Sequence, residues 1–206
     1  VMNPEIFRLW GDLSISGYGV MVVAGLLAFL TISLKDRVLM RLIDVGMLLD
    51  AVVVGAVAGV VGCRMLFVLE HLGDFAGRWH EVVYIWDGGG SLLGGVIAIA
   101  CAEVAFFKWK RVPVLPVLDA VAPGLAILQS IARIGCFWAG CCHGAQASDP
   151  TVWWTVTYEH PDSFAPLGVS LHPVQLYAAV GMLAVFAILR AVRGRRPVTG
   201  VVLGLY

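Results

Sequence analysis

Five stretches of the chain, near 17–33, 45–69, 92–107, 114–138 and 173–189, run apolar with few charges, and a sixth begins near 198. Most approach or exceed the roughly 20 apolar residues that cross a bilayer. A backbone in lipid must bond its own polar groups, so each stretch is expected to be a helix, and the alternation of a β-barrel is absent. The reading is all-α: a polytopic transmembrane helical bundle, residues 1–206 as a single transmembrane domain, with a small extracytoplasmic head segment. The sixth stretch stops at Tyr206, short of a full crossing, so the natural chain is expected to continue. The N-terminal "NPEIFRLWGDLSISGYG" mixes apolar and charged residues and reads either as a segment in the interface plane or as a packed arm. "TVWWTVTY", 151–158, alternates as a short extracytoplasmic strand does, and equally reads as an interfacial aromatic belt.

Composition agrees with a membrane setting. Apolar residues make up 60% of the chain, against about 45–50% for an ordinary soluble domain. The formal net charge is zero, which leaves no footprint for nucleic acid. Basic residues mark one side: Lys35, Arg37 and Arg41; Lys108, Lys110 and Arg111; Arg190, Arg193, Arg195 and Arg196. Segment 139–172 has no Lys or Arg. The basic side is expected to be cytoplasmic, with the N-terminus outside and the chain in a bacterial cytoplasmic membrane. No basic region precedes the first span, so it does not read as a cleaved signal peptide.

Polar residues inside the spans narrow the chemistry. Charge in hydrocarbon is costly and faces a bundle interior or water. Arg133 and Arg64 are placed near the outer ends of their spans, and guanidinium suits a lipid phosphate. The plain alternative has each arginine snorkelling or bonding helix-end carbonyls. Asp119 and Gln129 share a span with Arg133. "WDGGGSLLGGV", 86–96, places Gly89, Gly90, Gly94 and Gly95 around the start of the third span, where glycine serves helix packing or opens amides to an anionic headgroup. "LHPVQLY" puts His172, Gln175 and Tyr177 at the entrance of the fifth span, the pattern of a headgroup site or, for Tyr177, of an aromatic belt.

"ARIGCFWAGCCHGAQ", 131–145, collects Arg133, Cys136, Cys141, Cys142 and His143. Five cysteines in the chain is an odd number, so a complete set of internal disulfides is impossible. The adjacent Cys141-Cys142 lacks the spacing of a structural zinc site, and no metal or other cofactor is expected. A bridge from Cys136 to one of them, buried free thiols, or a thiol activated by His143 or Arg133 all remain open.

Taken in order and spacing, these motifs resemble the prolipoprotein diacylglyceryl transferase family over nearly the whole chain. Tyr18-Gly19, "WDGGGSLLGG", "LDAVAPGLAILQSIARIGCFWAG" and "HPVQLY" carry the likeness. The resemblance implies transfer of a diacylglyceryl group from phosphatidylglycerol to the lipobox cysteine of a secreted prolipoprotein, forming a thioether as glycerol phosphate leaves. It assigns Arg133 to the phosphate, with Arg64 assisting. Tyr18, Gln175 and Tyr177 fall near the lipid pocket, and Asp119 supports its helix. The chain departs from the family at Leu93, where a His is usual, and at Cys136, where an Asn is usual. If that His is the base, its role passes to His143 or His172. A further family Arg would lie beyond Tyr206. The implied partners are phosphatidylglycerol and the prolipoprotein signal peptide. A second reading makes the chain an inactive homologue, a lipid-binding or accessory subunit among other membrane proteins.

Overall fold

The computed structural model describes residues 5–10, 13–85, 88–149, 152–194 and 199–206. Helices α1 (Gly17–Leu34), α2 (Leu39–Leu42), α3 (Val45–Glu70), α4 (Leu92–Trp109), α5 (Val114–Ala139), α6 (Val174–Gly194) and α7 (Val201–Gly204) follow in chain order. Five of these, α1, α3, α4, α5 and α6, are long and apolar enough to cross a membrane. Their bounds follow the apolar runs within a few residues, as expected where the backbone must close its own hydrogen bonds. Side chains fix two starts: Ser16 accepts from the Gly19 amide at 3.1 Å and Asp44 from the Met47 amide at 2.7 Å, each satisfying a donor that a helix N-terminus leaves unpaired.

The N-terminal segment is a hairpin. Strand β1 (Glu5–Trp10) pairs antiparallel with β2 (Leu13–Ser16), Glu5 opposite Ser16 and Trp10 opposite Leu13. Gly11-Asp12, outside the described residues, is the kind of dipeptide that joins hairpin strands. In the head segment β3 (Val156–Thr157) pairs with β4 (Ser170–Leu171), so the alternating stretch does form a short strand. Arg195 and Arg196 lie outside the described residues.

Two compact units form, one from Val1–Arg37 with Leu118–Tyr206 and the other from Val38–Val117. In the second, α3 and α4 run antiparallel against each other through small residues. A methyl group on Gly62 would come within 2.5 Å of the Gly94 carbonyl oxygen and would also overlap the Ala98 methyl. Backbone cannot yield to it as a side chain can. Gly62→Val is therefore expected to destabilise the protein by about 1–3 kcal/mol or more, read as a lower unfolding temperature in detergent. An unchanged unfolding temperature would show that the two helices are not held this closely.

In the first unit α5 packs antiparallel to α1: Gly17 faces the Trp138 ring, Gly25 the Leu128 backbone and Gly124 the Phe29 ring. Helix α6 joins where the Ser130 hydroxyl donates to the Ala179 carbonyl at 2.8 Å. Ala122, Ala126, Leu189 and Val202 close a core between α5, α6 and α7. Pro123 lies inside α5. Having no N–H, it cannot bond the carbonyl four residues back, that of Asp119. Arg193 Nη1 donates to this carbonyl at 3.0 Å while Nε and Nη2 grip Asp36 at 2.7 and 2.8 Å. The Asp119 carboxylate accepts from the Gly200 and Leu203 amides at 2.5 and 2.7 Å, holding the start of α7. The proline defect, the buried ion pair and the α7 cap thus form one polar joint.

Candidate functional site

The last turns of α5 carry Arg133 and Cys136, three residues apart and hence on one helix face. Gly135 between them lets α1 approach so closely that an added methyl would stand 3.3 Å from the Tyr18 Cα. Tyr18 is thereby held within electrostatic range of Arg133 and of the Cys136, Cys141 and Cys142 thiols. Arg133 is half-buried, and among the described residues its guanidinium makes no hydrogen bond or ion pair. That contrasts with Arg193, whose donors are taken up by protein oxygens.

Beyond α5 the chain reverses. Gly140 adopts φ +78° and Cys142 φ +58°, the latter in a region that residues with a side chain seldom enter. The reversal is pinned from α6: the fully buried Gln175 donates through Nε2 to the Cys141 carbonyl at 2.7 Å. Cys141 Sγ turns back to the Cys136 carbonyl at 3.8 Å, and the three sulfurs of Cys136, Cys141 and Cys142 lie within 4.8 Å of one another. All three are free thiols. Burial, and then the neighbouring Cys136, push the Cys141 thiol up to about 12.

Tyr158 ties the head segment to this end of α5, a role that residue type and spacing do not signal. It is 1% exposed, and its hydroxyl donates to the Phe137 carbonyl at 2.8 Å. Burial raises the phenol to about 12, with a hydrogen bond to Gln175 opposing. A lone Tyr in an alternating stretch carries no sign of the carbonyl it will reach 21 residues away.

Other candidates are placed as follows. His143 Nδ1 lies 2.9 Å from the Gly144 carbonyl. His172 pairs by its backbone with Gly144 and Ala145. Among the described residues neither imidazole hydrogen-bonds a thiol or Arg133. Tyr177 is exposed on the first turn of α6. Asp119 is engaged in the α7 cap. Leu93 is 60% exposed and offers no proton acceptor.

In the second unit Arg64 is buried and its donors are largely spent. Nε reaches the Val82 carbonyl at 2.8 Å, Nη1 those of Gly88 and Gly89 at 2.6 and 3.0 Å, and Nη2 that of Glu81 at 2.6 Å. The Phe67 and Phe75 rings flank it at 5.6 and 5.5 Å. Arg64 clamps the chain leading to α4 by bonding its carbonyls. Gly89, at φ +77°, sits where a side chain would strike the Phe67 ring. The Ser91 amide just after Gly90 donates to the Cys63 carbonyl at 3.0 Å. Gly94 and Gly95 press on the Gly62 backbone and the Cys63 sulfur. Arg64→Leu is expected to cost about 1.5–3 kcal/mol from lost charge-assisted bonds and to speed protease cleavage within 79–90. A normal unfolding temperature and cleavage rate would show that these bonds do not hold the segment.

The chain was compared with known proteins. The family model for prolipoprotein diacylglyceryl transferase matches residues 4–206. A phosphatidylglycerol–prolipoprotein diacylglyceryl transferase of Clostridium tetani is 32% identical over 179 residues, 87% of this chain and 69% of the relative. The second such enzyme of Clostridium perfringens is 30% identical over 192 residues, covering 87% of this chain and 67% of the relative. The counterpart from Oceanobacillus iheyensis is 31% identical over 207 residues, 95% of this chain and 69% of the relative. A match that runs unbroken from the N-terminal hairpin through all five apolar helices makes this multi-pass bacterial membrane protein a member of the prolipoprotein diacylglyceryl transferase family.

Proposed function

We propose that the protein transfers a diacylglyceryl group from phosphatidylglycerol to the lipobox cysteine of a prolipoprotein, with Arg133 holding the lipid phosphate. The observation that carries this assignment is the half-buried guanidinium of Arg133, free of protein partners among the described residues, beside Tyr18 at the end of α5. A cation placed there stabilises charge that grows on the phosphate as its bond to the glyceryl carbon breaks. Tyr177, exposed on the first turn of α6, faces the lipid in this reading, and the buried Gln175 holds the reversal after α5 in place. The basic loops face the cytoplasm in this reading, which puts Arg133 and the thiols at the outer membrane surface. Family membership and the substrates named for the relatives support the reaction.

The test incubates purified protein with phosphatidylglycerol and a lipobox peptide, and detects the thioether adduct by mass spectrometry. An adduct on the peptide cysteine supports the assignment. No adduct, under conditions where a relative's enzyme is active, overturns it.

A further inference from the structure

We propose that Cys136, Cys141 and Cys142 bind a zinc ion whose fourth position receives the incoming substrate thiol. The proposal rests on the transferase reading for the identity of that thiol, and on the geometry of this chain for the site.

Sequence spacing argues against zinc because Cys141 and Cys142 are adjacent. The fold removes the objection. The reversal at Gly140 and Cys142 brings both sulfurs back to Cys136, in the last turn of α5. Zinc–sulfur bonds of about 2.3 Å in a tetrahedral or trigonal arrangement require sulfurs about 3.8–4.0 Å apart. Sulfurs that all lie within 4.8 Å of one another stand close to that spacing, on a reversal that Gln175 holds. Three thiolates favour a soft or borderline cation such as zinc over magnesium or calcium. Arg133 lies one turn from Cys136 on the same face of α5.

No His, Asp or Glu joins the three sulfurs among the described residues, and Cys142 is exposed. Three protein ligands with an open fourth position is the form of a reactive zinc site, whereas a structural one is closed by four. Alkylation of a thiol needs its thiolate, and neither described imidazole bonds the cluster. Zinc meets that need, since a thiol that coordinates the ion loses its proton. The step balances without any oxidant. The substrate S–H gives its proton to water as sulfur replaces zinc-bound water. The sulfur lone pair then attacks the glyceryl carbon, and the carbon–oxygen bond to phosphate breaks. Glycerol phosphate departs with that electron pair beside Arg133, and the neutral thioether, a poorer ligand, leaves the metal.

Cobalt(II) serves as a coloured probe for zinc. The full chain, reduced in detergent and titrated without oxygen, is expected to bind one cobalt with intense thiolate-to-cobalt absorption. Cys142→Ser, an exposed position, is expected to weaken binding on the order of tenfold or more, and Cys136→Ser likewise. Cys101→Ser, in the other unit, leaves the spectrum unchanged and serves as the folding control. A lipobox peptide with its cysteine is expected to shift the absorption, and the same peptide with serine is not. Absence of the thiolate band, a band indifferent to Cys142→Ser, or no response to the peptide thiol overturns the proposal. So does a Cys136–Cys141 disulfide in protein that binds no cobalt after reduction. Full transfer by chelator-stripped protein also overturns it while leaving the transferase assignment standing. A peptide-responsive site in a chain that transfers nothing supports the metal site and defeats the transferase assignment instead.

Discussion

Arg133→Ala is expected to lower thioether formation on the order of 10²–10³-fold while leaving the unfolding temperature nearly unchanged. The two parts follow from one observation. Arg133 makes no hydrogen bond or ion pair to the described protein, so truncation strips no protein group of a partner. A preorganised charge aimed at a developing oxyanion is worth roughly 3–4 kcal/mol of barrier, the same factor expressed as energy. Arg133→Lys keeps the charge and loses the planar fork that engages two phosphate oxygens, so its activity is expected between the other two. Equal activity in all three proteins would remove Arg133 from the reaction. A collapse in unfolding temperature would show that it supports the fold instead.

Arg193→Ala is expected to have the largest effect on stability, about 3–5 kcal/mol, the usual cost of removing one partner from a buried ion pair. Asp36 is buried and receives two of the guanidinium's bonds. A third goes to the Asp119 carbonyl, which Pro123 has left without its helical donor. Alanine withdraws all three together. The sharper form of the prediction concerns coupling. Pro123→Ala restores a helical donor for the Asp119 carbonyl, so the double variant is expected to recover part of the loss. The check is a double-variant cycle on the unfolding temperature in detergent. Strict additivity would show that the proline and the arginine do not share that carbonyl.

Much of the fold was legible because the bilayer imposes it. Hydropathy alone located 45–69 and 114–138, and the helices run Val45–Glu70 and Val114–Ala139. The family was legible because its motifs are short and ordered, and their order and spacing survive in this chain despite Leu93 and Cys136. Local signals were weaker at the N-terminus: the mixed charged and apolar residues of 3–19 read as an interfacial segment or a packed arm, and the pairing of β1 with β2 was not foreseen.

Relations between distant residues stayed hidden. The convergence of Cys136 with Cys141 and Cys142 depends on a left-handed conformation at Cys142, and nothing in the residue type foretells it. The role of Arg64 depends on where the chain returns 17–25 residues later. Arg133 and Arg64 look alike in sequence, each an arginine at the outer end of an apolar run. Only their surroundings separate them: the donors of Arg64 are consumed by carbonyls, and those of Arg133 meet no oxygen among the described residues.

The most direct measurement is retention of phosphatidylglycerol by the protein in native mass spectrometry, for wild type and Arg133→Gln. The account predicts a bound phosphatidylglycerol on the wild-type chain that is lost or sharply reduced in the variant, whose side chain has similar reach but no charge. Equal retention by both proteins would contradict it.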